Sequence, residues 1–517
     1  MSTSTDSIDP LEVQDKSNNS TSDLDVQPIT DYHDRDVDDI PANSGGFTGA
    51  ALAKEQTVRP DSVRRDSAKQ RQSVGSIRLT YKERLREYIK VAPKFIWAYV
   101  QVFCIYVGFL SIYWGTLYKR EERFQNVEML VVNDDTSFMS NGTEIQPYIS
   151  DAFIELLQEP QVRYLANFKV INTTDFRDLA ESHNNTLYEE VVRQIHHQKY
   201  WAGFYIKPQA TQLIYDSFAS GNATYMTSGQ INQTVTVVYE TGRHFSALNQ
   251  YLIRNLNTVA FDWNTHLSRN VYPEIIQSLS STQQENLLQN TSIPIFTTFP
   301  ILSFVDNRSS SNSAILGPSE LGLIYALLFS FNQFNFSVEI YRIMRERLKY
   351  RSYLFYRLIV SQLNALLLAL VYGLMTIALK IPTETAFGHA GFVVLWMFMY
   401  LFLSAVGVVN EIVMSIIMAF NQQLLIAPWM IFNIVSNISA TFAPFVLMPG
   451  FYKYGYAMPM YNIYEALKVV FFNTWKGHLG RNLGVLIIWI VVGNVLLVLV
   501  SNWAVKRARR MQAAAKE

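Results

Sequence analysis

The sequence predicts an α-helical polytopic membrane protein with six transmembrane helices and an α+β extracytoplasmic domain between the first and second. Three observations predict it. Apolar residues make up 49% of the 517-residue chain, but they gather in one long run near residues 95–117 and in several more beyond residue 316, while the first ninety residues hold almost none. Seven Asn-x-Ser/Thr sequons fall between the first two apolar runs, at Asn141, Asn172, Asn184, Asn222, Asn232, Asn290 and Asn307, none with proline in the middle. Finally, Lys and Arg cluster beside the first, second and last apolar runs, as cytoplasmic flanks do.

Taking the chain in order, residues 1–90 read as a disordered cytosolic tail. Its first 58 residues carry twelve acidic side chains against Lys16, Arg35 and Lys54, with few aromatics. No apolar stretch here is long enough for a signal peptide, so targeting falls to the first transmembrane helix. Between residues 59 and 94 the sign reverses, with eleven Lys or Arg against Asp61, Asp66, Glu83 and Glu87. A basic juxtamembrane segment belongs inside, where it is drawn to anionic headgroups. Ser62, Ser67 and Ser73 lie next to arginines in this stretch and match basophilic kinase sites, and phosphorylation would weaken that attraction. The formal net charge of the whole chain is zero, which offers no global basic field for nucleic acid.

The first span occupies residues 91–118 with its flanks. Trp97 and Tyr99 stand at one end and Tyr113, Trp114 and Tyr118 at the other, as interfacial aromatics do. Cys104, the sole cysteine, lies inside it, so the outer domain, residues 119–316, has no intrachain disulfide and must be held by its core. In that domain strands are expected at residues 127–132, closed by Asn133-Asp134-Asp135, and at 168–171, 201–206 and 234–240. Phe245, Leu248, Leu252, Leu256, Val259, Trp263, Leu267 and Val271 then recur in steps of three and four, which predicts one long amphipathic helix. The His196-His197 pair has no clustered cysteine or carboxylate around it, so no metal site and no cofactor are expected.

A five-helix membrane domain follows over residues 317–505, with spans at 321–340, 354–379, 391–410, 424–447 and 483–503. Arg342, Arg345, Arg347, Lys349 and Arg351 fix the first loop as cytoplasmic, and Lys506, Arg507, Arg509 and Arg510 put the C-terminal tail, residues 506–517, on the same side. Two internal termini demand an even number of crossings. Polar side chains inside these spans must face other helices or a cavity. Interhelical hydrogen bonding is one reading. A polar transport path through Asn332, Asn335, Glu339, Asn364, Glu411 and Asn433 is the other. No Gly-x-x-x-x-Gly-Lys-Ser/Thr loop, Gly-x-Ser-x-Gly elbow or His-Glu-x-x-His helix is present, so neither ATP hydrolysis nor another enzymatic activity is expected of this chain.

One span, a large outer domain opening on Asn126-Val-Glu-Met-Leu-Val-Val-Asn-Asp-Asp135, then five spans, resembles ABC-2-type permeases and the phage-infection-protein group. Met448-Pro-Gly450 followed by Ala457-Met-Pro-Met-Tyr-Asn-Ile-Tyr-Glu-Ala-Leu467 is similar to their outer re-entrant pair, here expected within residues 449–482. With Val237-Val-Tyr-Glu-Thr-Gly-Arg-His-Phe-Ser-Ala-Leu-Asn249, these motifs resemble the fungal nitrosoguanidine-resistance membrane protein family over roughly residues 85–505. That resemblance implies a plasma-membrane protein acting in drug or mutagen resistance by exporting amphiphilic compounds or lipids. The alternative is a non-transporting regulator or scaffold that affects lipid asymmetry or other transporters. The expected partners are membrane lipids, a separate energising or regulatory protein, and a second copy of the chain.

Overall fold

The computed structural model describes residues 80–289, 295, 297–309 and 312–514. Ser62, Ser67, Ser73 and the Asn290 sequon lie outside the described residues. The first helix, α1 (Tyr81–Trp114), takes in the last ten residues of the expected tail. Its start has a local cause, because the Glu83 carboxylate accepts from the Thr80 backbone N–H at 2.8 Å and from its hydroxyl at 2.8 Å.

Beyond α1 the chain builds a five-stranded sheet in the order β4-β1-β5-β6-β7. Its strands are β1 (Glu128–Asn133), β4 (Asn167–Val170), β5 (Ala202–Ile206), β6 (Val235–Tyr239) and β7 (Ser303–Asp306), with a small hairpin of β2 (Phe138–Ser140) and β3 (Thr143–Ile145) beside it. β1 runs parallel to both β4 and β5, β5 is antiparallel to β6, and β6 is parallel to β7. Four strands fall where the sequence predicts them, whereas β7 has no such forecast. Its residues Ser-Phe-Val-Asp carry a single large apolar side chain beside one valine, too short a pattern to read as a strand.

Both faces of the sheet are covered, so β1 is buried along nearly its whole length rather than alternating. Leu130 and Val132 pack with Phe176, Val191 and Ile195 from α3 (Thr173–Ser182) and α4 (Leu187–His196). Met129 and Val131 join the larger core with Phe153 of α2 (Tyr148–Gln158), Phe218 of α5 (Ala210–Ser220) and Trp263. A capping box between Thr186 and Glu189 starts α4, and Asn172 caps α3 by accepting from the Thr174 N–H. The forecast long helix appears as a helical run over residues 245–278, here α6, interrupted by π-helical turns at Leu248–Leu252 and Leu267–Val271. Each turn takes in one extra residue and rotates the stripe, which keeps Leu248, Leu256, Trp263, Leu267 and Val271 all buried. A further helix, α7 (Ser281–Gln289), follows it.

Five helices of the described chain are long and apolar enough to cross a bilayer: 81–114, 313–347, 350–378, 388–419 and 476–507. They correspond to α1, α8 (Gly322–Arg347), α9 (Tyr350–Ala378), α10 (Gly391–Ala419) and α13 (Leu479–Ala514). The expected span at residues 424–447 departs from this. Its helix, α11 (Ile426–Ser439), has 14 residues, 3-10 turns replace the expected continuation, and α12 (Pro459–Phe472) follows. The apolar segment Gln423–Ser439 reaches about 25 Å at about 1.5 Å per residue, against about 30 Å of hydrocarbon. Pro444 and Pro449 explain why the helix does not continue: neither can donate the backbone hydrogen bond that a further turn needs. At the centre of the bundle, Leu395, Phe402, Leu403 and Val406 of α10 pack with Leu467 and Val470 of α12 and Leu486 of α13. Phe355, Leu363, Leu367, Val371 and Leu374 of α9 stay exposed, as a lipid-facing surface requires.

Candidate functional site at the junction of the sheet domain and the membrane helices

The two motifs quoted above as family-like meet in space. Strand β6 leads through Glu240-Thr-Gly-Arg-His244 into α6, and this turn packs on α12, which carries Tyr461-Asn-Ile-Tyr-Glu-Ala466. Gly242 is what allows the approach: a Cβ added there would lie 2.8 Å from Cγ of Phe472. Arg243 donates to the Gln198 carbonyl at 2.8 Å and to that of Tyr200, with its guanidinium 3.8 Å from the centre of the Trp201 ring. Lys468 of α12 reaches back, donating to the Arg243 carbonyl at 2.7 Å and to Glu465 at 2.6 Å.

Next along the chain, His244 is buried at the heart of the junction. Its Nδ1 accepts from the Ala247 N–H at 3.4 Å and lies 3.3 Å from the Tyr464 hydroxyl. Burial first, and then the positive charge of Lys468, pushes His244 down to about 3, so its imidazole is neutral at physiological pH. The Tyr464 hydroxyl also donates to Glu320, at 3.2 Å, and the Ser246 hydroxyl donates to the same carboxylate. Glu320 sits in the π-helical turn Gly317–Leu321 that leads into α8 and is 5% exposed. One buried polar unit therefore links the strand-to-helix turn, the start of α8 and the re-entrant-like helix α12. It joins parts of the chain more than two hundred residues apart.

Within the bundle, polar side chains pair with one another. Asn410 accepts from Asn433 at 2.9 Å and from the Trp429 indole at 3.1 Å, and donates to Ser330 at 3.2 Å. Asn437 donates to Asn433 Oδ1 at 3.0 Å and accepts from the Met460 N–H at 3.3 Å. Gln362 accepts from Tyr400 and Ser404, and Asn364 donates to Ser337 at 3.1 Å. Nearer the loop joining α8 to α9, Arg357 donates to Glu411 at 3.1 Å, to Ser415 at 3.0 Å and to Ser501 at 3.3 Å.

Of the residues expected to form a polar path, Asn433 thus belongs to the asparagine network, Asn364 to a separate α8–α9 contact and Glu411 to an ion pair. Asn332 is exposed on α8 and, among the described residues, bonds only its own Leu328 carbonyl, and Glu339 is exposed beside Arg342. The Asn335 side chain lies outside the described residues. The five whose side chains are described do not converge on one passage. Arg357 is the residue that sequence reasoning missed. An arginine inside an apolar run requires a partner, and Glu411 supplies it.

Six of the seven sequons between the first two apolar runs lie within the described residues, on the sheet domain. Asn141, Asn172, Asn184 and Asn222 are exposed, with φ of 49° at Asn141 and 56° at Asn184, while Asn232 is half-buried. Asn307 differs from these, since its Nδ2 donates to the buried Glu240 at 2.7 Å. His196 bonds the same carboxylate at 2.9 Å, and His197 stacks on Trp475. Among the described residues, no group of three His, Cys, Asp or Glu could hold a metal ion. In the Asn133-Asp134-Asp135 turn the carboxylates have structural partners: Asp134 takes Arg177 and Tyr205, while Asp135 accepts from the hydroxyl and N–H of Thr211.

Two cavities open among the membrane helices at the end nearer the sheet. One, about 550 Å³, is an almost wholly apolar groove between α8 and α9, open on the lipid-facing side, where Leu321, Tyr325, Phe329, Val371 and Met375 of its wall are exposed. The other, about 500 Å³, lies where the end of α1, the turn into α8 and the end of α11 approach, and its wall includes Arg120, Ser246, Glu320 and Ser439.

Comparison with known proteins places the chain in the family described as "Protein of unknown function (DUF3533)", which matches residues 98–495. The chain is also 26% identical over 427 residues to a protein of Saccharomyces cerevisiae named "Uncharacterized endoplasmic reticulum membrane protein YJR015W", covering 81% of this chain and 82% of that one. No solved structure matches. With its five long apolar helices, the chain is a multi-pass membrane protein.

Proposed function

For this DUF3533 protein we propose a permease-like role in the movement of amphiphilic compounds or lipids, without enzymatic activity of its own. The observation that carries this reading is the apolar cavity of about 550 Å³ between α8 and α9. Its wall offers dispersion contacts and almost no hydrogen bonds, so it suits an acyl chain or a drug-like apolar body rather than a hydrophilic solute. The asparagines of the bundle point the same way, because Asn410, Asn433 and Asn437 spend their side chains on one another instead of lining an aqueous route.

The finer reading adds several features. The segment 423–447 makes a sixth crossing, half helix and half irregular chain supported by α12, which leaves both termini cytosolic. The sequon-bearing domain faces the secretory lumen or the cell exterior. The resemblance to nitrosoguanidine-resistance proteins argues for the plasma membrane, and the name of the yeast relative for the endoplasmic reticulum. Golgi-extended or core-sized glycans on the protein distinguish the two. The family-like motifs form the joint that couples the outer domain to α8 and α12, so a domain movement would be felt in the bundle.

The decisive experiment reconstitutes the purified protein in sealed liposomes holding a fluorescent phospholipid analogue, with and without a proton gradient. Faster loss of the inner-leaflet signal to a membrane-impermeant quencher than in empty liposomes is the expected result. Equal rates under both conditions refute movement by this chain alone. The same result favours the second reading, a regulator or scaffold that works with an energising partner, in keeping with the lack of a phosphate-binding loop.

A further inference from the structure

The cavity at the end of α1 has a wall of two kinds. Toward the spans it is apolar, with Leu117, Ile324, Val435 and Ile438. Toward the sheet domain it carries one cation, Arg120, and one buried anion, Glu320, with Ser439 between the two kinds of wall. Neither charge has an ion-pair partner among the described residues. Arg120 bonds the Tyr251 hydroxyl at 2.7 Å and the Thr116 carbonyl at 3.2 Å, while its buried Nε–H finds no acceptor. Glu320 accepts only from neutral donors, namely the N–H and hydroxyl of Ser246 and the hydroxyl of Tyr464. Ser439 is 2% exposed and its hydroxyl is likewise without a partner.

Buried polar atoms left unpaired cost free energy, and a charged group costs more, so a site that keeps several of them in the wall of a cavity is shaped for a ligand that completes them. We propose that this cavity binds the zwitterionic headgroup of a phospholipid. The phosphate lies on Arg120, the ammonium is drawn to Glu320, and the glycerol and upper acyl chains lie along the apolar wall. Opposite charges in one cavity select a zwitterion over a purely anionic headgroup, which Glu320 would repel. A lone ammonium amphiphile would leave Arg120 unanswered. Such binding does not depend on whether the chain moves lipid, since the site is defined by charge and shape alone.

The test uses the full-length protein in nanodiscs that contain a trace of phospholipid with a photoreactive group beside the glycerol, carrying either a choline or a glycerol headgroup. Mass spectrometry of the labelled peptides gives the ratio of the two at each position. The choline lipid should label residues 113–120 and 435–443 at least about fivefold more than the glycerol lipid, the discrimination expected of one modest charge contact. Glu320→Gln should bring that ratio close to one, whereas Arg120→Gln, which removes the phosphate contact common to both lipids, should lower the labelling of these residues by each. Labelling of the exposed α9 surface by both lipids should stay unchanged, which certifies the fold of each variant. Equal labelling of the wild type by the two lipids, or stronger labelling by the glycerol lipid, overturns the proposal even if neither variant folds. A choline preference that survives Glu320→Gln in folded protein overturns it as well, as does labelling of these residues that Arg120→Gln leaves unchanged.

Discussion

His244 makes the junction sensitive to acid, and the size of the effect follows from its burial. In the unfolded chain its imidazole titrates near its ordinary value of about 6.5, whereas in the folded protein it is held down to about 3 by burial and by nearby Lys468. The unfolded state therefore binds the extra proton throughout the interval between those values. Stability is complete above about pH 6.5 and declines as the pH falls toward 3. At pH 5.5, one unit below the unfolded value, the loss from this residue is about 1.4 kcal/mol, a tenfold change in the ratio of folded to unfolded protein. His244→Asn removes the titration while keeping a side chain able to cap the Ala247 N–H. The measurement is detergent-induced unfolding of the purified full-length protein in mixed micelles, at pH 7.5 and 5.5. On acidification the wild type should lose about 1.4 kcal/mol more than His244→Asn, the other titrating groups cancelling in the difference. An equal loss in the two proteins would refute the claim that His244 is buried neutral in the joint.

Other substitutions report on neighbouring parts of the design. Gly242→Ala drives a methyl group into Phe472 and should cost about 1–3 kcal/mol, seen as a lower unfolding midpoint. Glu411→Ala leaves Arg357 buried without its carboxylate and should cost about 3–5 kcal/mol, emptying the membrane fraction on an immunoblot; a joint Arg357→Met, Glu411→Leu replacement should restore much of the protein. Asn433→Leu should lower abundance modestly, at about 0.6 kcal/mol for each lost interhelical bond, whereas Asn332→Leu should leave abundance unchanged because that side chain bonds only its own helix. Glycosidase should sharpen the gel band of protein made in a eukaryotic host. Peptide mapping should find Asn141, Asn184 and Asn222 modified and Asn307 bare, since a sugar on Asn307 must break its bond to Glu240.

The features legible in the sequence are those whose cause is local. A buried strand such as β1 announces itself by four consecutive apolar residues and the Asn-Asp-Asp turn that follows, and the stripe of α6 can be counted off at steps of three and four. The π-helical turns in α6 leave no mark, because a step of four or five between apolar residues still reads as helix. The shortness of α11 was written in Pro444 and Pro449, yet an apolar run across them passes for a span when composition alone is counted. β7 became a strand only because β6 was there to pair with it.

The candidate site was less legible for a related reason. Its motifs stood out in the sequence, but their meeting is a long-range fact, with Gly242 and Phe472 separated by the last part of the sheet domain and three long membrane helices. Glu320 and Arg120 carried no local signal, Glu320 being a lone charge at the edge of an apolar run and Arg120 one of five charged residues in the flank Lys119-Arg-Glu-Glu-Arg123, where solvated charges are ordinary. What distinguishes them is that folding buries the carboxylate of Glu320 and the Nε of Arg120 with no ion-pair partner for either charge among the described residues. A membrane protein that needed only to be stable would place such charges in water or pair them, as Arg357 and Glu411 are paired. Their retention, unpaired, beside a cavity of about 500 Å³ is a stability cost that a ligand can relieve, and this sets the junction apart from the self-satisfied asparagine network deeper in the bundle.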